Sequence, residues 1–322
     1  MSINTLVSVR TCRTIVLAVL LLVGIVSMLA CDSGPAWQEK TINGQTYRYR
    51  EHGIQVKDIT TDILGTKGLE TEHFVIRYST KFSPYLDSII SIPENSFVKI
   101  THDLQFTKVK SRIPIDYLEW FEFTRTTEVD CGGYVGCPNT DTPTIVVNSS
   151  SFTFTCDSAS LVTNHELTHY LLKLMRGKDY FRIDEEGRRY GRTNHDFEEA
   201  LCQTEEPRPW LAEALYLHTP ESQYLSIDSI NNSTDREYRF QSVFQFRALI
   251  KMMTEKWGWK SVLATIPLQV DHPLKEALFL STGTAYSDLE PMWFAYMDSL
   301  KSTADTAVLA AWSRRDFRTY RP

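Results

Sequence analysis

The residues with the clearest potential for chemistry are the histidines and the glutamate in the run HELTH, residues 165–169. Residues i and i+4 of an α-helix differ by about 40° around its axis, so His165 and His169 project from one face and can share a metal ion. Glu166 is adjacent, where its carboxylate reaches a water at that metal and can act as a general base. Two neutral imidazoles suit zinc, and a catalytic zinc needs a third protein ligand and one open position. The pattern therefore predicts a catalytic zinc site.

The alternative is a helix whose two histidines lie at the surface or are satisfied in the core. The surrounding segment is broadly apolar, with Leu161, Val162, Leu167, Tyr170, Leu171, Leu172 and Leu174. A buried helix carries a His-Glu-His set at low cost only when those groups are paired. This context favours the metal site.

The third ligand is expected to be a carboxylate or a histidine downstream of the helix. The candidates are His195, Glu198, Glu199, Glu205, Glu206, Glu213 and His218. Most of them lie in polar surroundings. Glu213 stands in the otherwise apolar run PWLAEALY, residues 209–216, where an unpaired carboxylate is costly. We therefore expect His165, His169 and Glu213 to bind the zinc.

HELTH followed by PWLxEAL resembles the gluzincin metallopeptidases, and specifically the peptidase MA-like group, whose usual form is HExxH followed by WLxEG. The resemblance extends to the runs HFVIRYS and TIVVN as strands and to STGTAYSDLEPMWFAYMDSL as the closing segment. Ala214 replaces the customary glycine, and the interval from His169 to Glu213 is longer than in compact members.

The resemblance implies a zinc peptidase of thermolysin-like architecture in which His165, His169 and Glu213 bind zinc and Glu166 polarises the attacking water. Tyr238 stands where such a peptidase often supplies an oxyanion donor, although a core tyrosine is the alternative. The strand TIVVN is a candidate for aligning a peptide substrate by strand addition. Two other functions stay open: a zinc amidase acting on wall-linked peptides, and a non-enzymatic envelope protein that retains the gluzincin fold. An intact Glu166 favours an enzyme.

The N-terminus has the features of a secretion signal. Arg10 and Arg13 precede an uncharged apolar run, residues 15–30, which ends in the sequence MLAC. This resembles a bacterial lipoprotein signal with Cys31 as the lipidated mature N-terminus; an uncleaved anchor helix is the alternative. Either form predicts a membrane-anchored protein of the cell envelope that faces the periplasm or the exterior.

Four cysteines remain after the signal and Cys31 are set aside: Cys131, Cys137, Cys156 and Cys202. An even number in an oxidising compartment favours disulfides. Three pairings are possible, and Cys131–Cys137 with Cys156–Cys202 is the most economical. A zinc knuckle is the rival, but no C-x-x-C spacing supports it.

Composition and order of elements complete the prediction. A chain of 322 residues with 42% hydrophobic and 23% charged residues is globular, and a net charge of -6 argues against nucleic acid as a partner. Strand-like runs precede segments of helical apolar spacing at 158–175, 195–218, 235–257, 273–282 and 286–301. This order favours an α+β fold with a β-rich N-terminal part packed on a mainly helical C-terminal part. The predicted boundaries are a signal at 1–30, a tether at 31–45, and one catalytic domain at 46–322, divided into a β-rich part at 46–157 and a helical part at 158–322 with a surface insertion at 176–209.

Overall fold

The computed structural model has an α+β fold in which an N-terminal sheet packs on a mostly helical C-terminal part. It describes residues 35–52, 66–107, 109, 111–118, 136–138, 145–148, 156–176, 181–183, 189–191, 194–206, 211–219, 224–232 and 236–313. The predicted signal and Cys31 lie outside these residues. Within them, no helix has both the length and the apolar character that crossing a membrane requires.

The described strands form a seven-stranded mixed sheet and a separate two-stranded hairpin. In chain order they are β1 (Gln38–Ile42), β2 (Gln45–His52), β3 (Thr66–Thr71), β4 (Phe74–Ser79), β5 (Ile113–Leu118), β6 (Gly136–Pro138), β7 (Ile145–Asn148), β8 (Phe181–Ile183) and β9 (Arg189–Gly191). The order across the large sheet is β1-β2-β3-β4-β5-β7-β6. The pairs β4–β5 and β5–β7 are parallel, whereas the other neighbours are antiparallel.

Helices make up most of the rest of the described chain. They are α1 (Leu86–Asp103), α2 (Cys156–Arg176), α3 (His195–Glu205), α4 (Leu211–His218), α5 (Ile227–Asn232), α6 (Arg236–Trp257), α7 (Trp259–Leu268), α8 (Leu274–Thr282), α9 (Tyr286–Lys301) and α10 (Thr306–Ser313). Helix α2 packs along α1 and against β6 and β7, and α3 packs between α2 and α6. The sheet and α1 therefore support one side of α2, and α3 lies against another.

Two predicted boundaries differ from the structure. The tether expected at 31–45 contains β1, whose Ile42 is buried in the core. The surface insertion expected at 176–209 contains α3, whose Phe197, Ala200 and Leu201 are buried. The charged residues of that segment suggested a solvated loop, whereas the helical spacing expected at 195–218 gives α3 a face that packs into the core.

Candidate metal centre

Helix α2 holds HELTH in its middle, where neighbouring elements fix its orientation. Leu167, Leu171 and Leu172 are fully buried and anchor its apolar side. The hydroxyls of Tyr117, on β5, and Thr163 share a hydrogen bond of 3.0 Å, which ties the sheet to the turn before the motif. The two histidines therefore project from a helix that the core already holds.

Helix α3 brings acidic residues to the same place. Its first turn is capped by Asn194, whose side-chain oxygen accepts a hydrogen bond from the backbone N–H of Phe197 at 2.9 Å. At its other end the side chain of Asn164, the residue before HELTH, donates to the backbone carbonyl of Glu205 at 3.1 Å. That carbonyl also accepts from the ammonium of Lys99, on α1. These contacts fix the register of α3 against α2.

His165, His169 and Glu199 form a potential metal-binding triad. The two Nε2 atoms lie 3.2 Å apart. Glu199 Oε2 lies 3.3 Å from Nε2 of His165, and Glu199 Oε1 lies 3.2 Å from Nε2 of His169. The edge of a regular tetrahedron with bonds of about 2.0 Å is about 3.3 Å, so this spacing matches ligand atoms placed around one ion.

Two further carboxylates hold the other nitrogen of each histidine. Glu206 Oε1 lies 2.7 Å from Nδ1 of His165, and Glu198 Oε1 lies 2.9 Å from Nδ1 of His169. A hydrogen bond at Nδ1 fixes the ring orientation and leaves the Nε2 lone pair for a metal. Both imidazoles are therefore oriented toward Glu199.

The electrostatics of the cluster favour a cation. Burial by itself would lower the pKa of His165, but Glu199 and Glu206 outweigh it and raise that pKa well above its usual value. The pKa of His169 is also raised well above its usual value, against burial, with contributions from Cys202, Glu199 and Glu198. The pKa of Glu199 is held well below its usual value because both histidines outweigh its burial. Without a metal the two imidazoles therefore tend to hold protons, and a metal ion can supply the same positive charge in place of those protons.

Glu166 is buried beside the triad and is 6% exposed. Burial raises the pKa of its carboxyl group, while the two histidines act in the opposite direction. A carboxylate with a raised pKa in this position suits the role of a proton acceptor near neutral pH.

Glu213, the third ligand expected from the sequence, is not part of the triad. It is buried, but its Oε1 accepts a hydrogen bond of 2.8 Å from the backbone N–H of Asp305, the residue before α10. A carboxylate is favourable at a helix N-terminus because the unpaired N–H groups there carry partial positive charge. A buried Glu213 does need a partner, as its apolar surroundings indicated, but the partner in the structure is this helix end.

The structure places the remaining candidate ligands outside the triad. His195 Nε2 lies 3.7 Å from Glu199 Oε1, outside the triad. Glu205 forms an ion pair with Lys99, and His218 stacks on Phe244 with the ring centroids 5.4 Å apart. Tyr238 lies in the first turn of α6, and its side chain is outside what the structure describes.

The helix that carries Glu199 was predicted from the sequence, although its charged surroundings favoured a position at the surface. Asn194 is a favourable N-cap, and Phe197 and Leu201 share a face at i, i+4 spacing, which together predict a helix with one buried side. The sequence does not show that this helix lies across α2 at the histidines.

The predicted Cys156–Cys202 disulfide is wrong in this structure, because Cys202 is a free, buried cysteine. Its thiol interacts with His169, and burial raises its pKa to about 11. Cys156 begins α2 thirteen residues before His169, which is about 20 Å along the helix, whereas bridged Cα atoms lie within about 7 Å. Cys131 and the side chain of Cys137 lie outside the described residues, so their pairing stays a prediction.

The position of β7 changes the expected substrate alignment. The strand predicted as TIVVN has β5 on one side and β6 on the other, so neither of its edges is open along the paired residues. Among the described strands β6 forms that end of the sheet, and it packs against α2. Among the described strands, strand addition at this end of the sheet would therefore use β6.

Comparisons of the chain with protein-family models, with curated proteins and with solved structures gave no match. The function of this chain is therefore inferred from the geometry of the cluster.

Proposed function

We propose that this protein is a zinc-dependent metallopeptidase of the cell envelope, with His165, His169 and Glu199 as the metal ligands. The observation that carries the proposal is the set of three ligand-atom separations, 3.2, 3.3 and 3.2 Å, at the centre of a buried acidic cluster. Two histidines and one carboxylate are a ligand set of catalytic zinc sites, which leave a position open for substrate or water.

The residues fit zinc better than calcium or magnesium, because hard cations prefer sites built from oxygen ligands. The carboxylates at both Nδ1 atoms are the outer partners that metal-binding histidines usually have. When bound, zinc would polarise a substrate carbonyl and make a nearby water more acidic. A single zinc ion also offsets part of the negative charge that Glu198, Glu199 and Glu206 bring to the cluster.

Glu166 would act as the general base that takes the proton from the attacking water. It follows His165 directly, so the orientation of α2 that holds the imidazole also places this carboxylate at the cluster. Its burial keeps bulk water from competing for the proton and raises its affinity for that proton. The protonated side chain could then deliver the proton to the amine that leaves when the peptide bond breaks.

The gluzincin assignment is part of this proposal, with one change from the pattern. The HExxH element and a glutamate from a following helix fit that class, but the glutamate is supplied by α3 rather than by the WLxE segment in α4. Tyr238 keeps its proposed role as oxyanion donor. If it has that role, Tyr238→Phe should cost about 2.7–4 kcal/mol of transition-state stabilisation and should change substrate binding little.

The test uses the purified full chain, assayed for metal content and for cleavage of a mixed peptide library. We expect one zinc per chain and cleavage that a chelator abolishes. Glu166→Gln should keep the zinc but lose at least about two orders of magnitude in turnover, because the amide cannot accept the proton.

Other results would change the assignment. Zinc binding with no cleavage of peptides or wall-linked peptides would favour the non-enzymatic envelope protein. Cleavage confined to wall-linked amides would favour the amidase. Full turnover by Glu166→Gln would contradict the proposed mechanism.

A further inference from the structure

His195 lies beside the metal-binding cluster and is largely exposed to solvent. It is the first residue of α3, and its side chain is 63% exposed, whereas those of His165 and His169 are 17% and 11% exposed. Its Nε2 lies 3.7 Å from Glu199 Oε1, the atom that faces His169. That separation is too long for a hydrogen bond, so the contact with Glu199 does not occupy the His195 N–H.

The backbone that carries His195 is fixed on both sides. Asn194 caps the helix, and its own N–H donates to the side-chain oxygen of Gln269 at 3.0 Å. Asp196 accepts a hydrogen bond from the hydroxyl of Ser242, on α6, at 2.5 Å. The imidazole therefore projects from a rigid turn.

Among the side chains described at the cluster, carboxylates outnumber the groups that could donate to an anionic oxygen. After burial, which raises the pKa of Glu166, the groups that shift this pKa are the two histidines, which lower it, and Glu199 and Glu206, which raise it. In the proposed arrangement, Nδ1 of each imidazole bonds to a carboxylate and Nε2 binds the metal, so neither ring has a nitrogen left to donate. An oxyanion bound there would face several carboxylates, and a donor on the solvent side would offset that repulsion.

We propose that His195 donates a hydrogen bond from Nε2 to an oxygen anion of a substrate held at the His165, His169 and Glu199 triad. An oxygen anion held at the triad would need a donor about 2.7–3.2 Å away, supplied by a group just outside the ligand set. His195 occupies such a place, next to Glu199 but outside the ligand set. The ligands this arrangement suits are tetrahedral oxyanions, including the one formed when water adds to a peptide carbonyl.

This inference rests on the proposed function, but it can be tested without a peptide substrate. The full chain is loaded with Co²⁺ in place of zinc and titrated with inorganic phosphate, with the visible absorption of the cobalt as the readout. His195→Ala removes the donor, and His195→Phe removes it while keeping an aromatic ring. His272→Ala is the matched control, because His272 also pairs with a glutamate at i+4 and lies in the segment before α8.

We expect all variants to bind one cobalt and to keep the wild-type far-UV circular dichroism. Phosphate should bind about ten- to a hundred-fold more weakly to both His195 variants, the range for losing a hydrogen bond to a charged group. His272→Ala should match the wild type.

The outcomes separate the two proposals. Unchanged phosphate affinity in the His195 variants, or no phosphate binding by cobalt-loaded wild type, would overturn the role of His195 alone. Loss of cobalt from the His195 variants would also overturn it, because that residue would then be a ligand. Failure of the wild type to bind cobalt would overturn both proposals.

Discussion

Glu206, the residue directly after α3, places Oε1 2.7 Å from Nδ1 of His165. The contact joins the end of one helix to the middle of another, and the partners are 41 residues apart in the chain. It fixes which nitrogen of His165 is free to face Glu199. The position of this carboxylate depends in turn on the contacts that Asn164 and Lys99 make with the carbonyl of Glu205.

Replacing Glu206 should therefore weaken metal binding without removing a ligand. We expect Glu206→Gln to lower zinc affinity about 10- to 100-fold, as is typical for partners of metal-binding histidines. Competition with a chromogenic chelator measures this effect. Affinity equal to the wild type would contradict the role given to Glu206.

Glu199 and Glu213 should differ sharply in their effects on metal binding. Glu199→Gln removes a proposed ligand, so the purified protein should lose stoichiometric zinc. Glu213→Gln should keep one zinc per chain and lower the free energy of unfolding by about 1 kcal/mol, because it weakens the contact at the start of α10. Metal analysis of both variants decides between the two ligand sets, and loss of zinc from Glu213→Gln alone would restore the set expected from the sequence.

The pair His73 and Glu94 should make stability depend on pH in a defined direction. Glu94 accepts from the backbone N–H of His73 at 2.9 Å, and its other oxygen lies 2.6 Å from His73 Nδ1. The hydrogen bond with Glu94 raises the pKa of His73 above 6.5, although burial and Arg112 oppose it and Glu72 assists it. The pKa of Glu94 lies below 4.5 because hydrogen bonds from His73 and Thr71 outweigh its burial.

These two pKa shifts set how the free energy of unfolding changes with pH. The stabilisation from His73 is complete below about pH 6.5 and is lost as the pH rises through the pKa of the folded state. The stabilisation from Glu94 is complete above about pH 4.5 and is lost as the pH falls through the pKa of the folded state. The pair should therefore stabilise most between those values, by about 1 kcal/mol given its partial exposure. Urea unfolding of zinc-loaded wild type and His73→Gln at pH 5.5 and 8.5 should show a smaller difference at the higher pH. His102→Gln, whose side chain is 87% exposed in the wild type, is the control, and a difference that grows with pH would refute the assignment.

The thiol of Cys202 should be unreactive in the folded protein. It is fully buried, and burial raises its pKa to about 11, so little thiolate is present at pH 8. We expect iodoacetamide to label Cys202 only after denaturation, as measured by peptide mass spectrometry. A peptide in which Cys202 is linked to Cys156 would instead support the pairing expected from the sequence.

The membrane anchor is a prediction from the sequence. The mature chain should begin at an acylated Cys31 and partition with membranes, and Cys31→Ser should give released protein or unprocessed precursor. Mass spectrometry of the mature N-terminus is the measurement. An unmodified N-terminus at another residue would contradict it.

Much of the helical architecture could be predicted from apolar spacing. The segments expected at 158–175, 235–257, 273–282 and 286–301 correspond closely to α2, α6, α8 and α9. The single helix expected at 195–218 is instead α3 and α4, which end and begin on either side of Pro207 and Pro209. Proline disfavours helix continuation, so this break was readable from the sequence.

The sequence by itself determined the part of the site that lies within one helix. His165, Glu166 and His169 have positions set by the α-helical repeat, so their spacing was enough to predict a shared face. The third carboxylate depends on how α3 crosses α2, and that crossing is decided by side-chain packing and by contacts such as Asn164 with Glu205. From the chain alone Glu213, in its apolar run, was the favoured ligand, but a buried carboxylate can be satisfied either by a helix end or by a metal site. Only the tertiary structure assigned Glu213 to Asp305 and Glu199 to the histidines, since residues distant in the chain are brought together by packing rather than by local spacing.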